Sequence, residues 1–190
     1  MTQDEALKIL KTGANIFLTG EPGSGKTHTI NAYVAWLRER GIEPAVTAST
    51  GIAATHIGGY TIHSWSGIGV RKNLSDYDLD TIARNKRITR RVLQARALII
   101  DEISMLSANT LSMVDTACRG IRHNQKPFGG LQVVLVGDFF QLPPVNRREH
   151  ETEQQAFSLG DKQRQFAFAS PAWKALNPLV CYLSEQHPRS

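Results

Sequence analysis

With 190 residues, the chain has room for one sizeable α/β core or two very small ones, and we read it as a single domain. Its 41% hydrophobic and 21% charged residues exclude a disordered tail and a fibrous repeat. The formal charge of +5 leans towards an anionic partner without naming one.

In chain order, MTQDEALKILKTG (1–13) reads as an acid-started amphipathic helix with no apolar signal core. No later stretch approaches the roughly 18 apolar residues of a membrane span. NIFLTG (15–20) is the first of five β-rich runs; PAVTAS (44–49), ALIIDE (97–102), LQVVLVGD (131–138) and LVCYLSE (179–185) follow. Between them, THTINAYVAWLRERG (27–41) and ANTLSMVDTACRGIR (108–122) carry apolar residues at helical spacing. This alternation predicts an α/β fold with a mostly parallel sheet covered by helices on both faces, and ligands beyond the carboxyl ends of its strands. From Arg84 to Arg96 the chain carries basic residues and no acid, whereas acids gather in SDYDLD (75–80) and EHETE (149–153). Such a basic run reads equally as a solvated helix face or as an anion contact. Residues 147–165 are polar and irregular, a loop or an added excursion. Cys118 and Cys181 lack paired ligand spacing, which indicates a reduced, cytoplasmic protein, and the histidines show no metal-site spacing.

Three segments carry chemistry. GEPGSGKT (20–27) fits G-x-x-x-x-G-K-[ST] between a strand and a helix, a pattern that chance gives a chain of this length less than about one time in a hundred. Gly20, Gly23 and Gly25 let the backbone turn its N–H groups towards phosphate; Lys26 adds charge at the β- and γ-phosphates, and Thr27 offers a hydroxyl to Mg²⁺. Pro22, Ser24 and His28 lie within or beside this cradle and join the nucleotide-contact set. ALIIDEISML (97–106) ends a buried run in two acids: Asp101 to hold Mg²⁺ and Glu102 to orient and polarise the attacking water. VGDFFQLPPV (136–145) places Gln141 past a strand tip, where a neutral amide can bond a γ-phosphate oxygen or that water. Pro143 and Pro144 stiffen the exit. Phe139 and Phe140 read as packing residues, and Asp138 either shares the Mg²⁺ shell or caps the loop.

Four segments in order, FLTGEPGSGKT, TASTGIAATHIGGYTIHSWSGIG, LIIDEISML and RGIRHNQKPFGGLQVVLVGDFFQLPPV, resemble the Pif/RecD-like 5′-to-3′ DNA helicases of superfamily 1, the Pif branch in particular, over nearly the whole chain. The resemblance implies that residues 1–190 form a RecA-like P-loop motor domain. It would bind ATP through Lys26 and Thr27 and Mg²⁺ through Thr27 and Asp101, with Glu102 as catalytic base and Gln141 as coupler. Gln3 resembles the family's adenine-reading glutamine. Thr50, Gly51, His63 and Ser64 fall in its single-strand-binding segment, where short side chains and glycines suit a close phosphate chain. Residues 67–95 occupy the place of its strand-separating wedge, which would make the basic run a DNA contact. The family pattern E-Q-x-R-Q after the last strand is altered here: Pro188 stands between His187 and Arg189, so Arg189 is the γ-phosphate candidate with a changed reach.

The resemblance further implies single-stranded DNA and duplex junctions as partners, a monomer, and a second RecA-like domain in cis that 190 residues do not hold. The chain is therefore expected to be a piece of a longer protein that binds nucleotide without unwinding alone. The expected location is the cytoplasm or nucleoid of a bacterium, or the nucleus or mitochondrion of a eukaryote. Two other readings stand beside it: a single-strand-binding module with a non-catalytic nucleotide pocket, and a small-molecule P-loop kinase. The DEIS and GDFFQLPPV segments weigh against the kinase, because they suit water activation.

Overall fold

The computed structural model describes residues 1–140 and 165–184. Six strands form one sheet in the order β3-β2-β4-β5-β1-β6, every neighbouring pair parallel. They are β1 Ile16–Gly20, β2 Ala45–Ala48, β3 Tyr60–Thr61, β4 Ala97–Asp101, β5 Gln132–Val136 and β6 Leu179–Leu183. Five coincide with the β-rich runs. The sixth, β3, is a two-residue edge strand defined only by its register on β2, Thr47 to Tyr60 and Ala48 to Thr61. A segment that short, preceded by Gly58 and Gly59, carries no period of its own. The arrangement is the RecA-like P-loop α/β fold.

The helices are α1 Gln3–Lys11, α2 Lys26–Arg38, α3 Gly51–His56, α4 Ile62–Ser66, α5 Asp76–Arg84, α6 Lys86–Gln94, α7 Ala108–Arg122 and α8 Pro171–Leu176. The period-two geometry of the strands sorts their side chains between two layers. Ile16, Leu18, Ile99, Val134 and Val136 pack with Leu10 of α1 and Ile30, Tyr33 and Leu37 of α2. Phe17, Leu98, Ile100, Val133 and Leu135 pack on the opposite layer with residues of α4 to α8. Burial on both faces explains why β4 reads as an uninterrupted apolar run. Ile82 of α5 and Val92 of α6 enter this same core, so the 67–95 region is built onto the sheet. Cys118 and Cys181 are both buried and free. No described helix is long and apolar enough to cross a membrane.

A polar clamp at the amino ends of the strands ties α1 and α2 to the sheet. Gln132 Nε2 donates to the carbonyls of Leu10 and Ala14, each at 3.0 Å, while its Oε1 accepts from the Tyr33 hydroxyl at 2.6 Å. Gln132→Ala removes the partner of the Tyr33 hydroxyl and of the Ala14 carbonyl, while the Leu10 carbonyl keeps the Gly13 N–H, and the expected loss is about 2 kcal/mol of unfolding free energy in urea denaturation. An unchanged midpoint would show that the clamp is dispensable.

Candidate nucleotide site and strand-contact segment

β1 ends at Gly20, and the chain turns through a loop into α2. Gly25 sits at φ 90°, ψ 21°, and a Cβ there would collide with the Gln3 side-chain amide, so both conformation and space call for glycine. α2 begins with no side-chain cap and no acid in its first turn. Every other α-helix described has a capping side chain, from Thr2, Thr50, Thr61, Ser75, Asn85, Ser107 or Ser170. An uncapped amino terminus after a glycine loop is a ready anion cradle. Lys26 Nζ donates to the carbonyls of Gly20 at 2.6 Å and Glu21 at 3.1 Å. Ser24 is 1% exposed, and its Oγ has no hydrogen-bond partner. Gln3, on α1, donates Nε2 to the Ser24 carbonyl at 3.3 Å and so lies against the cradle. Pro22, Gly23, Thr27 and His28 are exposed around it.

β4 delivers the acids. Asp101 Oδ1 accepts from the Glu102 N–H at 2.8 Å, and Glu102 adopts the left-handed conformation, φ 53° and ψ 44°, uncommon and strained for a residue with a Cβ. Ser49 holds this turn in place: its N–H donates to the Asp101 carbonyl at 3.1 Å and its Oγ to the Glu102 carbonyl at 2.8 Å. Burial pushes the Asp101 carboxyl up, opposed by the Glu102 N–H and the Lys26 ammonium. Glu102 is pushed up by desolvation and then by the Asp101 charge, and Lys26 again pulls it down. Lys26 thus opposes the upward shift of both carboxyls, and β1 and β4, which lead to the lysine and to the acids, end on the same edge of the sheet. Thr27 and Asp101 also line one cavity of about 560 Å³, with Val136 at the end of β5.

β5 lies between the strand that leads to Lys26 and the strand that leads to Asp101. Its exit is packed closely: a Cβ on Gly137 would come within 3.0 Å of Ile103 Cγ2 and 3.1 Å of the Ile103 nitrogen. Asp138 caps the following turn, its Oδ1 accepting from the Phe140 N–H at 2.9 Å. Phe139 packs among Phe17, Phe166, Phe168 and Trp173, with ring centroids 4.9 to 5.9 Å away. Phe140 departs from the packing expectation: it is 99% exposed, and its backbone N–H is held by the Asp138 cap. Gln141, Pro143, Pro144 and Arg189 lie outside the described residues.

Thr50, Gly51, His63 and Ser64 follow the carboxyl ends of β2 and β3, on the same sheet edge as the cleft. Thr50 caps α3 by accepting from the Ala53 N–H at 3.2 Å, and Gly51 is exposed with open space where a Cβ would stand. Ser64 is exposed. His63 is half-buried, and desolvation pushes its imidazole down, so at neutral pH it offers a hydrogen bond without a charge. Two residues escaped the sequence reading. Ser49 resembled any polar strand end. Arg91 was absorbed in the basic run, although its phase with Ile88, Val92 and Ala95 puts it on the inner face of α6.

The cradle fits a nucleoside triphosphate: glycines where side chains would intrude, an uncapped helix, an ammonium and an orphaned buried hydroxyl converge on it. Thr27 and Asp101 fit Mg²⁺, which takes few protein ligands. A family model of the PIF1-like helicases matches residues 3–180. The chain belongs to that family. The ATP-dependent DNA helicase Pif1 of Psychrobacter is 53% identical over 188 residues, covering 98% of this chain and 27% of its own length. The crystal structure of Pif1 helicase from Candida albicans superposes with a TM-score of 0.85 at 37% identity, covering 97% of this chain and 39% of that one. Pif1 from Bacteroides in complex with ADP-AlF3 and ssDNA gives 0.77 at 31% identity, over 97% and 42%. This PIF1-like chain therefore spans about a quarter of the length of its curated bacterial relative.

Because burial raises the Asp101 carboxyl above its unfolded value, its ionisation weighs against the folded state. Stability is fully present below the ordinary carboxylate pKa and declines as pH rises towards the raised one. Asp101→Asn is expected to raise Tm at pH 7 by a few degrees, with the gain shrinking towards about pH 3. A calorimetric difference that stays the same across this range would contradict the assignment.

Proposed function

We propose that the chain is the ATP-binding motor domain of a 5′-to-3′ DNA helicase that couples ATP hydrolysis to translocation on single-stranded DNA. The observation that carries this reading is the uncapped glycine-loop helix start bearing Lys26, on the same sheet edge as the acid turn of Asp101 and Glu102. There, the amides of the 20–27 loop and the Lys26 ammonium, moved from the Gly20 and Glu21 carbonyls, hold the β- and γ-phosphates. Ser24 Oγ gains an acceptor, and Gln3 reads the adenine edge from beside the cradle. Pro22 and His28 border the nucleotide. Mg²⁺, held by Thr27 and Asp101, would supply neutralisation of phosphate charge. Glu102, made more basic by desolvation and by the Asp101 charge, orients the attacking water and accepts its proton. Gln141 is the proposed γ-phosphate sensor, and Arg189 the candidate arginine for the same phosphate.

Thr50, Gly51, His63 and Ser64 hold the phosphate chain of single-stranded DNA on the same edge. Both ADP-AlF3 and ssDNA are bound together by the Bacteroides relative, which supports this pairing of ligands. Duplex junctions, a second RecA-like domain in cis and a monomeric state complete the proposal, with a location in the cytoplasm or nucleoid of a bacterium or the nucleus or mitochondrion of a eukaryote. Without the second domain the chain binds nucleotide and turns it over slowly, because transition-state charge stabilisation from a partner domain contributes orders of magnitude.

Two variants test the site. Lys26→Ala is expected to abolish Mg·ATP binding in isothermal titration calorimetry, and equal affinity for wild type and variant would reject the cradle. Glu102→Gln is expected to retain binding and to lower ATP turnover by about a hundredfold or more. A variant with wild-type turnover would remove Glu102 from the chemistry.

A further inference from the structure

Arg91 belongs to the basic run but not to its surface. Lys86, Arg87 and Arg90 of α6 are exposed, whereas Arg91 is turned inwards and half-buried. Its Nε donates to the Trp65 carbonyl at 2.9 Å, and a terminal nitrogen donates to the Ser64 carbonyl. These carbonyls close α4, a five-residue helix whose last turn has few partners of its own; the Gly67 N–H reaches Ser64 only at 3.3 Å. The guanidinium also lies over the Tyr60 ring, 4.9 Å from its centroid. Tyr60 immediately precedes Thr61, and Ser64 and Trp65 end the stretch, so one side chain grips both ends of the segment that carries His63 and Ser64.

α6 is itself anchored. Arg122, in the RGIRHNQKPFGG segment, donates Nη1 to the carbonyls of Val92 at 2.9 Å, Ala95 at 3.1 Å and Leu93 at 3.3 Å, and Nε to the Gly129 carbonyl at 2.8 Å. The carboxyl end of α6 therefore rests on α7 and the Gly129 turn, and Arg91 projects from a fixed base.

We propose that Arg91 is a positioning residue for single-strand binding: it clamps Tyr60 to the last carbonyls of α4 and so presents His63 and Ser64 to the phosphate chain in one preset geometry. The proposal rests on the contact role given above to α4 and adds the device that orders it. A segment ordered before binding loses less conformational freedom on binding, which raises affinity. Arginine is suited to this because its planar fork donates to two carbonyls while its face lies on a ring; a lysine ammonium is a point charge and cannot do both.

The test is fluorescence anisotropy of a labelled oligo-dT with the full chain. Arg91→Lys is expected to bind about tenfold more weakly, the effect of losing a charged hydrogen bond, with Mg·ATP affinity unchanged. Ser64→Ala should cost less in the Arg91→Lys background than in the wild type, since both changes act on one contact. Arg91→Gln should leave the slope of log K against log salt unchanged. A slope lowered by about 0.7 would make Arg91 itself a phosphate ligand and overturn the proposal. So would wild-type affinity in Arg91→Lys, or strictly additive effects in the double variant. Tyr60→Leu removes the ring while keeping the carbonyl bonds and should give a smaller loss; it tests the clamp independently if Arg91→Lys folds poorly. Wild-type binding by both His63→Ala and Ser64→Ala would instead overturn the contact role of α4, and the clamp with it.

Discussion

The site depends on one electrostatic arrangement: a single ammonium, Lys26, faces two carboxylates that burial would otherwise drive towards protonation. Partial desolvation disfavours the charged form of both Asp101 and Glu102, and the Asp101 charge further opposes the ionisation of Glu102. The lysine opposes that shift at both groups. It does so from the first position of an uncapped helix, where the backbone adds positive potential of its own. The same arrangement has a structural cost, visible in Glu102 held at positive φ and in Ser24 Oγ without a partner. Strain and unsatisfied polarity are concentrated where phosphate and metal chemistry would use them.

The parallel sheet turns this local arrangement into a connected one. Because every described strand pair is parallel, the carboxyl ends of β1, β2, β3, β4 and β5 emerge on one edge. Ser49, at the end of β2, is bonded to the carbonyls of Asp101 and Glu102, and Thr50 is its covalent neighbour. The proposed strand-contact segment thus begins one residue from a hydrogen bond to the acid pair. On the other side, Gly137 lets the exit of β5 press against the turn that follows Glu102, while the Asp138 cap and the packing of Phe139 among aromatic rings fix that exit. A change in the acid turn has rigid neighbours in both directions, and close-packed neighbours transmit displacement rather than absorb it.

The basic run shows how one sequence feature divides in three dimensions. On the outer face of α6 its cations meet solvent; on the inner face Arg91 is spent on helix carbonyls and an aromatic ring. Arg122 performs a similar service for α6 from α7. Both arginines satisfy helix ends that short helices cannot satisfy alone. The neighbourhood of α4 is therefore built from side chain to backbone bonds rather than from a long helix.

The sequence by itself determined the features written in local chemistry. Strand runs between helical periods, the glycine cradle followed by Lys26 and Thr27, and the acids closing a buried run each have a pattern that neighbouring residues enforce, so they were legible without coordinates. Tertiary structure alone decided what depends on distant partners: the edge strand β3, which exists only by pairing with β2; the inward turn of Arg91; the split between packed Phe139 and exposed Phe140; and the grip of Ser49 on Glu102. A period records which face a residue occupies, but not which group waits there. That group is supplied by another part of the chain, brought close only when both faces of the sheet are buried.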